Sequence, residues 1–393
     1  MRILHVGQSL DPAHGGPSVS APSQACAQAA RGDSSAYLYY RFPTLAKNAT
    51  PPHLASLPGA HAVDFIQLPL ADNFEQLTAR GAKRWLLDNI NNYDIVHLHG
   101  MWRPLLAAAA AAATRNHVPY LLQPHGMLDV WSMRQKGLKK RLAWKLLWQG
   151  ISERAAFVHV LNEGEAEGVR QCGVRAPLVI IGNGIFRKQL DEVDSMPSDP
   201  LDTPPYILFL SRLHAKKGLD ILAEAFRIYR ARGGQARLRV VGPDEGARAD
   251  FATAIERAGL TTQVDIEEPV YGPAKYSLMR SAQCFCLPSY QEGFSVALLE
   301  AAACAVPLVI STECHFPEIE QVGAGSVLPL DPNAFAGALL HFTSSENSAD
   351  RHQAGINGHT LVRNHFTWEA IAEQLDTCYQ DATSGNHRAL QTT

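Results

Sequence analysis

The sequence has no large surplus of either charge. Its 35 Lys and Arg stand against 38 Asp and Glu, a net charge of −3 with neutral histidines. That argues against a general nucleic-acid binder, because phosphate backbones need a strong basic excess. It has no C-x-x-C, and its seven cysteines are odd in number. Cys284 and Cys286 alternate within an apolar run and read as small buried hydrophobes, a usage that fits a reducing cytoplasm. No apolar run approaches the roughly 20 residues needed to cross a membrane. The alanine-rich run Leu105–Ala113 reads instead as a buried helix. The opening residues, MRILHVGQSL, lack the apolar region and cleavage site of a secretory leader, so a cytoplasmic location is expected. G-x-G-x-x-G is absent, and with it the nicotinamide fingerprint.

What is present is 393 residues with 46% hydrophobic and 19% charged residues, enough for two or three globular domains. Short apolar runs alternate with helical patterns through residues 1–188. Strands are expected near Arg2–Gly7, Ala36–Arg41, Ala62–Leu68, Asp94–His99, Pro119–Pro124, Phe157–Leu161 and Pro177–Ile181. A polar, proline-rich stretch at 189–205 reads as a linker. The alternation restarts over 206–366, and 367–393 reads as a helix and tail. Alternating β and α elements imply α/β domains with parallel sheets. Ligands of such sheets bind beyond the carboxyl ends of the strands, so a cleft between two such domains is the expected site.

Four strand ends carry chemistry. In Pro288–Pro307, PSYQEGFSVALLEAAACAVP, Glu292 precedes Gly293 and Phe294 in a loop. Ser295 is placed to cap the next helix, and Glu300 lies inside it. A carboxylate beside an open helix N-terminus suits hydroxyls and an anion; the plain alternative is two solvated acids. In FLSRLHAKKG, Arg212 and Lys217 follow a strand, where Arg offers a fork and Lys a compact charge to phosphate. The alternative is two surface cations. Gly15-Gly16-Pro17-Ser18 follows the first strand and allows close backbone approach at a helix start, although most Gly-Gly pairs are only turns. In QPHGMLD, His125 stands at another strand end, where it can act on a ligand or simply hydrogen-bond backbone. His97 and His99 share one strand face; with no third ligand evident, a packed strand end is expected and no metal ligand is assigned.

The E-x7-E pattern after a strand, followed by EAxAxxxP, resembles the retaining glycosyltransferases of family GT4. The strand–SRL–xxKKG–helix segment and the CHFPEI stretch match the same family. The resemblance implies a GT-B fold: two Rossmann-like β/α/β domains facing across a cleft. It places Glu292 and His125 beside the transferred sugar and Glu300 on the ribose. Arg212 and Lys217 then meet the diphosphate, with Gly16, Gly293, Phe294 and Ser295 in the donor-binding loops. It implies a nucleotide-diphosphate sugar donor, a glycan or lipid-linked acceptor in surface polysaccharide biosynthesis, retention at the anomeric carbon and no cofactor. No two aspartates form D-x-D, the usual metal-diphosphate motif of the other glycosyltransferase architecture, so a metal-independent reaction is expected. The chain departs from the pattern at Glu268 and Ala305, where relatives often have Gly, and at Gln283, where they often have Asp. Glu268 would stand at the edge of the base pocket.

Residues 134–149, RQKGLKKRLAWKLLWQ, interleave cations with Leu and Trp. Wound as a helix, they suit an anionic membrane surface, or equally a helix packed on its own domain with a solvated basic face. Two other functions share the fold: a nucleotide-sugar epimerase, and a scaffold that binds donor without reacting.

Overall fold

The computed structural model describes residues 1–11, 16–43, 45, 51–129, 132–133, 137–196 and 204–385. The chain divides into two compact units, Met1–Phe186 with Trp368–Thr393, and Arg187–Thr367.

The first unit holds strands β1 (Arg2–Gly7), β2 (Ser34–Tyr40), β3 (Asp64–Leu68), β4 (Ile95–His99), β5 (Tyr120–Gln123), β6 (Phe157–Val160) and β7 (Leu178–Ile180). They form a parallel sheet in the order β3-β2-β1-β4-β5-β6-β7. Its longer helices are α1 (Pro17–Ala30), α2 (Arg80–Asn89), α3 (Pro104–Arg115) and α4 (Glu163–Gln171). Successive strand side chains face opposite ways. Leu4, Leu98 and Leu122 therefore pack with α2 and α3 on one face, while Ile3, Ile95 and Leu121 pack with α1 on the other. Covering both faces explains why the strands read as continuous apolar runs. The sheet order reverses between β1 and β4, the position where open α/β sheets bind ligands.

The second unit begins with helix α5 (Arg187–Asp194). Its strands are β8 (Tyr206–Leu210), β9 (Arg237–Val241), β10 (Val264–Glu267), β11 (Cys284–Leu287), β12 (Leu308–Ser311) and β13 (Gly325–Leu328). They are parallel, in the order β10-β9-β8-β11-β12-β13, with the reversal between β8 and β11. The helices are α6 (Leu219–Ala231), α7 (Arg248–Arg257), α8 (Pro273–Arg280), α9 (Val296–Ala303), α10 (Pro332–Thr343) and α11 (Ser348–His365).

Two expectations are corrected, and one helix is added. The segment expected as a linker at 189–205 begins inside α5, where Leu190 and Val193 are buried and Arg363 pairs with Asp191 and Asp194 at 2.9 and 2.6 Å. Two apolar residues three apart were hidden among acids; residues 197–203 lie outside the described set. Helix α11, not anticipated from the sequence, carries little apolar pattern because Ala354, Gly355 and Gly358 form most of its buried face, with Leu361 and Val362 only near its end. A Cβ on Gly355 would sit 2.1 Å from the Ala305 carbonyl oxygen, so glycine permits this close approach. The last helix, α12 (Trp368–Ser384), belongs to the first unit rather than standing apart as 367–393. Trp368, Ile371, Ala372, Leu375 and Tyr379 recur at helical spacing and join the core of α1, while Arg31 pairs with Asp376 at 3.0 Å.

Candidate functional site

In the second unit, the chain leaves β8 and makes one tight turn at Ala215–Lys217 before α6. Gly218 ends that turn at φ +68, and a Cβ there would lie 1.8 Å from the Pro288 carbonyl oxygen. Only glycine allows this approach, which carries Lys217 onto the loop after β11. There Lys217 Nζ lies 2.5 Å from Glu292 Oε1, with both side chains 7% exposed. Ser289 Oγ donates to the same oxygen at 2.6 Å. Burial pushes the Glu292 carboxyl up, but the Lys217 charge and hydrogen bond, the Ser289 hydroxyl and the Lys216 charge together hold it below the ordinary range. Lys216 is pushed down by burial and by the neighbouring Lys217 charge. The charges of Arg212 and Glu245 act on Lys216 as well, so the cations of FLSRLHAKKG do converge.

Arg212 is not a bare cation. Its Nη1 donates to both oxygens of Glu245, at 2.8 and 2.9 Å, a partner the sequence pattern did not single out. Glu300 sits within α9 and accepts from Lys275 Nζ at 2.5 Å, with Tyr276 Oη at 3.5 Å. Lys275 lies in α8, and the sequence pattern assigned it no role. Phe294, beside Gly293, stacks in a cluster with Phe316 and Phe366 at ring distances of 5.4 and 5.6 Å. Ser295 occupies the N-cap position of α9, but its side chain makes no capping bond, contrary to expectation. The Ser295 carbonyl takes the Leu298 N–H instead, at 3.1 Å. Glu268 is exposed and pairs with Arg248 at 2.6 Å.

In the first unit, Gly16 starts α1 with ordinary right-handed angles, φ −48 and ψ −47. No backbone strain demands glycine there; open space lies where its Cβ would be. Gly15 lies outside the described residues. A cavity of about 130 Å³ at the strand ends is lined by Gly7, Gln8, Pro17, Ser18, His99 and Arg103, among others. His125 has φ +54, a left-handed conformation that costs a non-glycine residue and clusters at functional sites. Buried Glu165 holds the turn by accepting from the Gly126 and Leu161 amides. Burial, the largest influence, pushes its carboxyl up to about 7.

Behind His125 lies a polar core that the strand pattern did not reveal. His5 on β1 adds a third ring to His97 and His99, with ring nitrogens all within 4.8 Å of one another. A third ring was not evident in the sequence, because parallel pairing puts His5 beside His97, a register the sequence does not display. The rings are engaged in hydrogen bonds. His5 Nε2 meets Gln28 Oε1 at 2.6 Å and His5 Nδ1 meets His99 Nε2 at 2.9 Å. His99 Nδ1 lies 3.0 Å from Gln123 Oε1 and 3.3 Å from His125 Nε2. His97 Nδ1 meets the Tyr379 hydroxyl at 2.7 Å, and His97 Nε2 lies 3.4 Å from His159 Nδ1. His159 Nε2 reaches the Ile181 carbonyl at 2.8 Å. Burial lowers every ring: His5 and His159 to about 4, His125 to about 3, and His97 and His99 well below the ordinary value.

Residues 204–345 match the family model "Glycosyl transferases group 1", and residues 15–184 match "Glycosyl transferase 4-like domain". The chain belongs to the group 1 glycosyltransferases. A D-inositol 3-phosphate glycosyltransferase of Streptomyces griseus is 27% identical over 191 residues, 46% of this chain and 40% of that protein. The amylovoran biosynthesis glycosyltransferase AmsK of Erwinia amylovora is 34% identical over 185 residues, 45% of each chain. The chain thus spans less than half the length of these curated relatives. HepE of Anabaena, solved in complex with UDP, aligns over 97% of this chain and 100% of its own, with a TM-score of 0.74 and 19% identity. That likeness shows the GT-B fold.

The helix expected over 134–149 is partly described, since Arg134, Gln135 and Lys136 lie outside the described residues. Gly137–Ala143 is α-helical, Trp144–Trp148 forms a π-turn, and Gln149–Glu153 is again α-helical. The expected apolar stripe splits. Trp144 and Trp148 turn into the core, while Leu142, Leu146 and Leu147 are 61%, 75% and 47% exposed. Lys139, Arg141 and Lys145 are exposed beside them, and Lys140 Nζ is tied to the Ser132 carbonyl at 2.6 Å. No described helix is long and apolar enough to cross a membrane.

Proposed function

We propose that this protein transfers a sugar, with retention, from a nucleotide-diphosphate donor to a glycan or lipid-linked acceptor in surface polysaccharide biosynthesis. The observation that carries this reading is the buried Lys217–Glu292 pair at the β8/β11 reversal. A buried pair is costly to desolvate and is weak as a stability device. It suits a ligand that brings its own charge. The ammonium of Lys217 has three donors, so it keeps Glu292 ionised while reaching a phosphate oxygen. Arg212 adds a fork to the diphosphate by sharing or leaving Glu245. Glu300, with Lys275 on one oxygen, offers the other to ribose hydroxyls. Glu292 accepts from the sugar, and His125 is assigned as a further sugar contact. These cations, rather than a metal, take up the charge of the leaving diphosphate, a form of electrostatic stabilisation that is often the largest catalytic contribution. The family membership, the amylovoran-pathway relative and the UDP bound to HepE support a nucleotide-sugar reaction.

We further propose that the exposed leucines and cations of 137–149 rest on anionic lipid at the cytoplasmic face, where a lipid-linked acceptor would be met.

The test is to incubate the protein with UDP-sugars alone, then with lipid-linked glycan acceptors, in excess EDTA. Product that requires acceptor and survives chelation supports the reading. Donor epimerised without acceptor indicates an epimerase. Donor bound but unchanged in both arms indicates a binding scaffold.

A further inference from the structure

The buried histidines form two branches whose directions follow from two acceptors, the Ile181 carbonyl and the Gln28 amide oxygen. The Ile181 carbonyl can only accept, so His159 carries its proton on Nε2. A neutral His159 then accepts at Nδ1, which places the His97 proton on Nε2. His97 Nδ1 therefore accepts from the Tyr379 hydroxyl. That hydroxyl has one hydrogen, already given, and this branch ends there. Gln28 presents its Oε1 to His5 at 2.6 Å, and its amide nitrogen has no hydrogen-bond partner among the described residues. An amide oxygen can only accept, so His5 Nε2 carries a proton. The same step repeats: His5 Nδ1 accepts from His99 Nε2–H.

His99 Nδ1 is then a lone pair facing Gln123 and His125. An amide can present either end. Turning Gln123 and Gln24 together keeps their mutual bond and gives His99 a donor. Whichever end Gln123 shows, a lone pair on His125 Nε2 would oppose the lone pair of His99 3.3 Å away.

We propose that this chain fixes His125 as its Nε2–H tautomer, leaving Nδ1 as an acceptor for a hydroxyl of the donor sugar. The sugar contact rests on the function proposed above; the tautomer rests on the geometry alone. His5 and His99 are then positioning residues. They act on the substrate only through His125, and burial keeps every ring neutral so that each offers one donor and one acceptor.

The experiment is a two-bond 1H–15N correlation spectrum of the full-length protein, labelled at histidine, at pH 7.5. All five rings, His5, His97, His99, His125 and His159, should carry the proton on Nε2. In His5→Phe, His99 loses its acceptor and should turn its proton toward His125, moving the His125 proton to Nδ1. Transfer kcat should fall about tenfold, the effect of one lost hydrogen bond, with nucleotide affinity unchanged. His5→Gln keeps a donor and an acceptor and should restore both signals. If His5→Phe does not fold, the wild-type spectrum still decides: an Nδ1–H or charged His125 overturns the proposal. So does stoichiometric zinc or nickel in the purified protein with the His5 and His99 ring protons lost, since a metal would replace the proton between them. Full transfer by His125→Ala, with the wild-type tautomers as expected, would instead sink the sugar contact and leave the chain standing.

Discussion

Lys217 and Glu292 come from turns 75 residues apart and close a 2.5 Å ion pair in which each side chain is 7% exposed. Removing one partner strands the other. Lys217→Ala should cost about 3–5 kcal/mol of unfolding free energy, the usual penalty for an unpaired buried charge. Replacing both, as Lys217→Met with Glu292→Leu, should cost much less. The Glu292 carboxyl is depressed in the folded state, so its contribution is present above the ordinary carboxyl range and lost as pH falls below it. Urea unfolding of the two variants at pH 7 and pH 4 checks both claims. Equal losses in the single and double variants would show that the pair is not the cause.

The histidine core predicts acid lability. The folded-state values of His5, His97, His99 and His159 lie below the ordinary value of 6.5, so the unfolded chain binds protons first as pH falls. Stability is therefore fully present above pH 6.5 and drains as pH falls toward about 4. Each ring contributes a slope of up to about 1.4 kcal/mol per pH unit. Chemical denaturation at pH 7.5, 6.0 and 5.0 should show a steep loss, made shallower by His159→Gln. A flat profile across that range would mean the rings are not buried as neutral groups.

Ala305, one of the departures from the family pattern named above, has a φ of +55. A Cβ in the left-handed region costs roughly 1–2 kcal/mol. Ala305→Gly relieves that cost but adds freedom to the unfolded chain, so a net gain of about 0.5–1 kcal/mol is expected. A differential scan showing a lower Tm for the glycine variant would contradict the strain argument.

The strands and the four chemical loops were legible because buried parallel strands leave continuous apolar runs and the loops carry family patterns at their ends. Residues whose roles depend on register were not legible. His5 needs β1 paired beside β4, and Tyr379 needs α12 returned to the first sheet. Lys275 and Glu245 are ordinary surface types in the sequence and acquire meaning only through their partners. Helix α11 was hidden because Ala354, Gly355 and Gly358 make up most of its buried face, leaving only the adjacent Leu361 and Val362 as large apolar residues there.

The basic segment should bind vesicles of anionic lipid in a salt-dependent way. Lys139, Arg141 and Lys145 are exposed, whereas Lys140 is bonded to Ser132, so the first three are the ones to change. Replacing them with Gln should weaken sedimentation with phosphatidylglycerol vesicles, at roughly 1 kcal/mol per cation near the surface. Leu142→Ser with Leu146→Ser should weaken it too, because both side chains are largely exposed and support no core. Unchanged sedimentation of both variants, with unchanged Tm, would leave the segment as a solvated face.

The final prediction separates binding from chemistry in the donor site. Arg212 and Lys217 would meet charge already present on the bound nucleotide, and more of it as the sugar departs. Losing a charge-assisted hydrogen bond costs roughly 1.5–3 kcal/mol. Arg212→Ala and Lys217→Ala should therefore weaken nucleotide-diphosphate binding and lower turnover as well. The effect of Arg212→Ala should be the smaller, because Glu245 already holds that side chain and it is 42% exposed. Glu300→Gln should weaken binding of the whole nucleotide series, nucleosides included, since the ribose is its proposed partner. It also removes the anion from Lys275, so a fall in Tm should accompany it. Glu292→Gln should behave differently. It leaves Lys217 available to phosphate, so free nucleotide diphosphate should bind at least as well as before. Sugar transfer should nevertheless fall steeply, because the lost interaction matters most as charge develops on the sugar. Calorimetric binding of UDP beside single-turnover transfer, for the four variants, makes the comparison. Normal transfer by Glu292→Gln would remove it from the site. Lost nucleotide affinity in Glu292→Gln but not in Glu300→Gln would show the two carboxylates in exchanged roles.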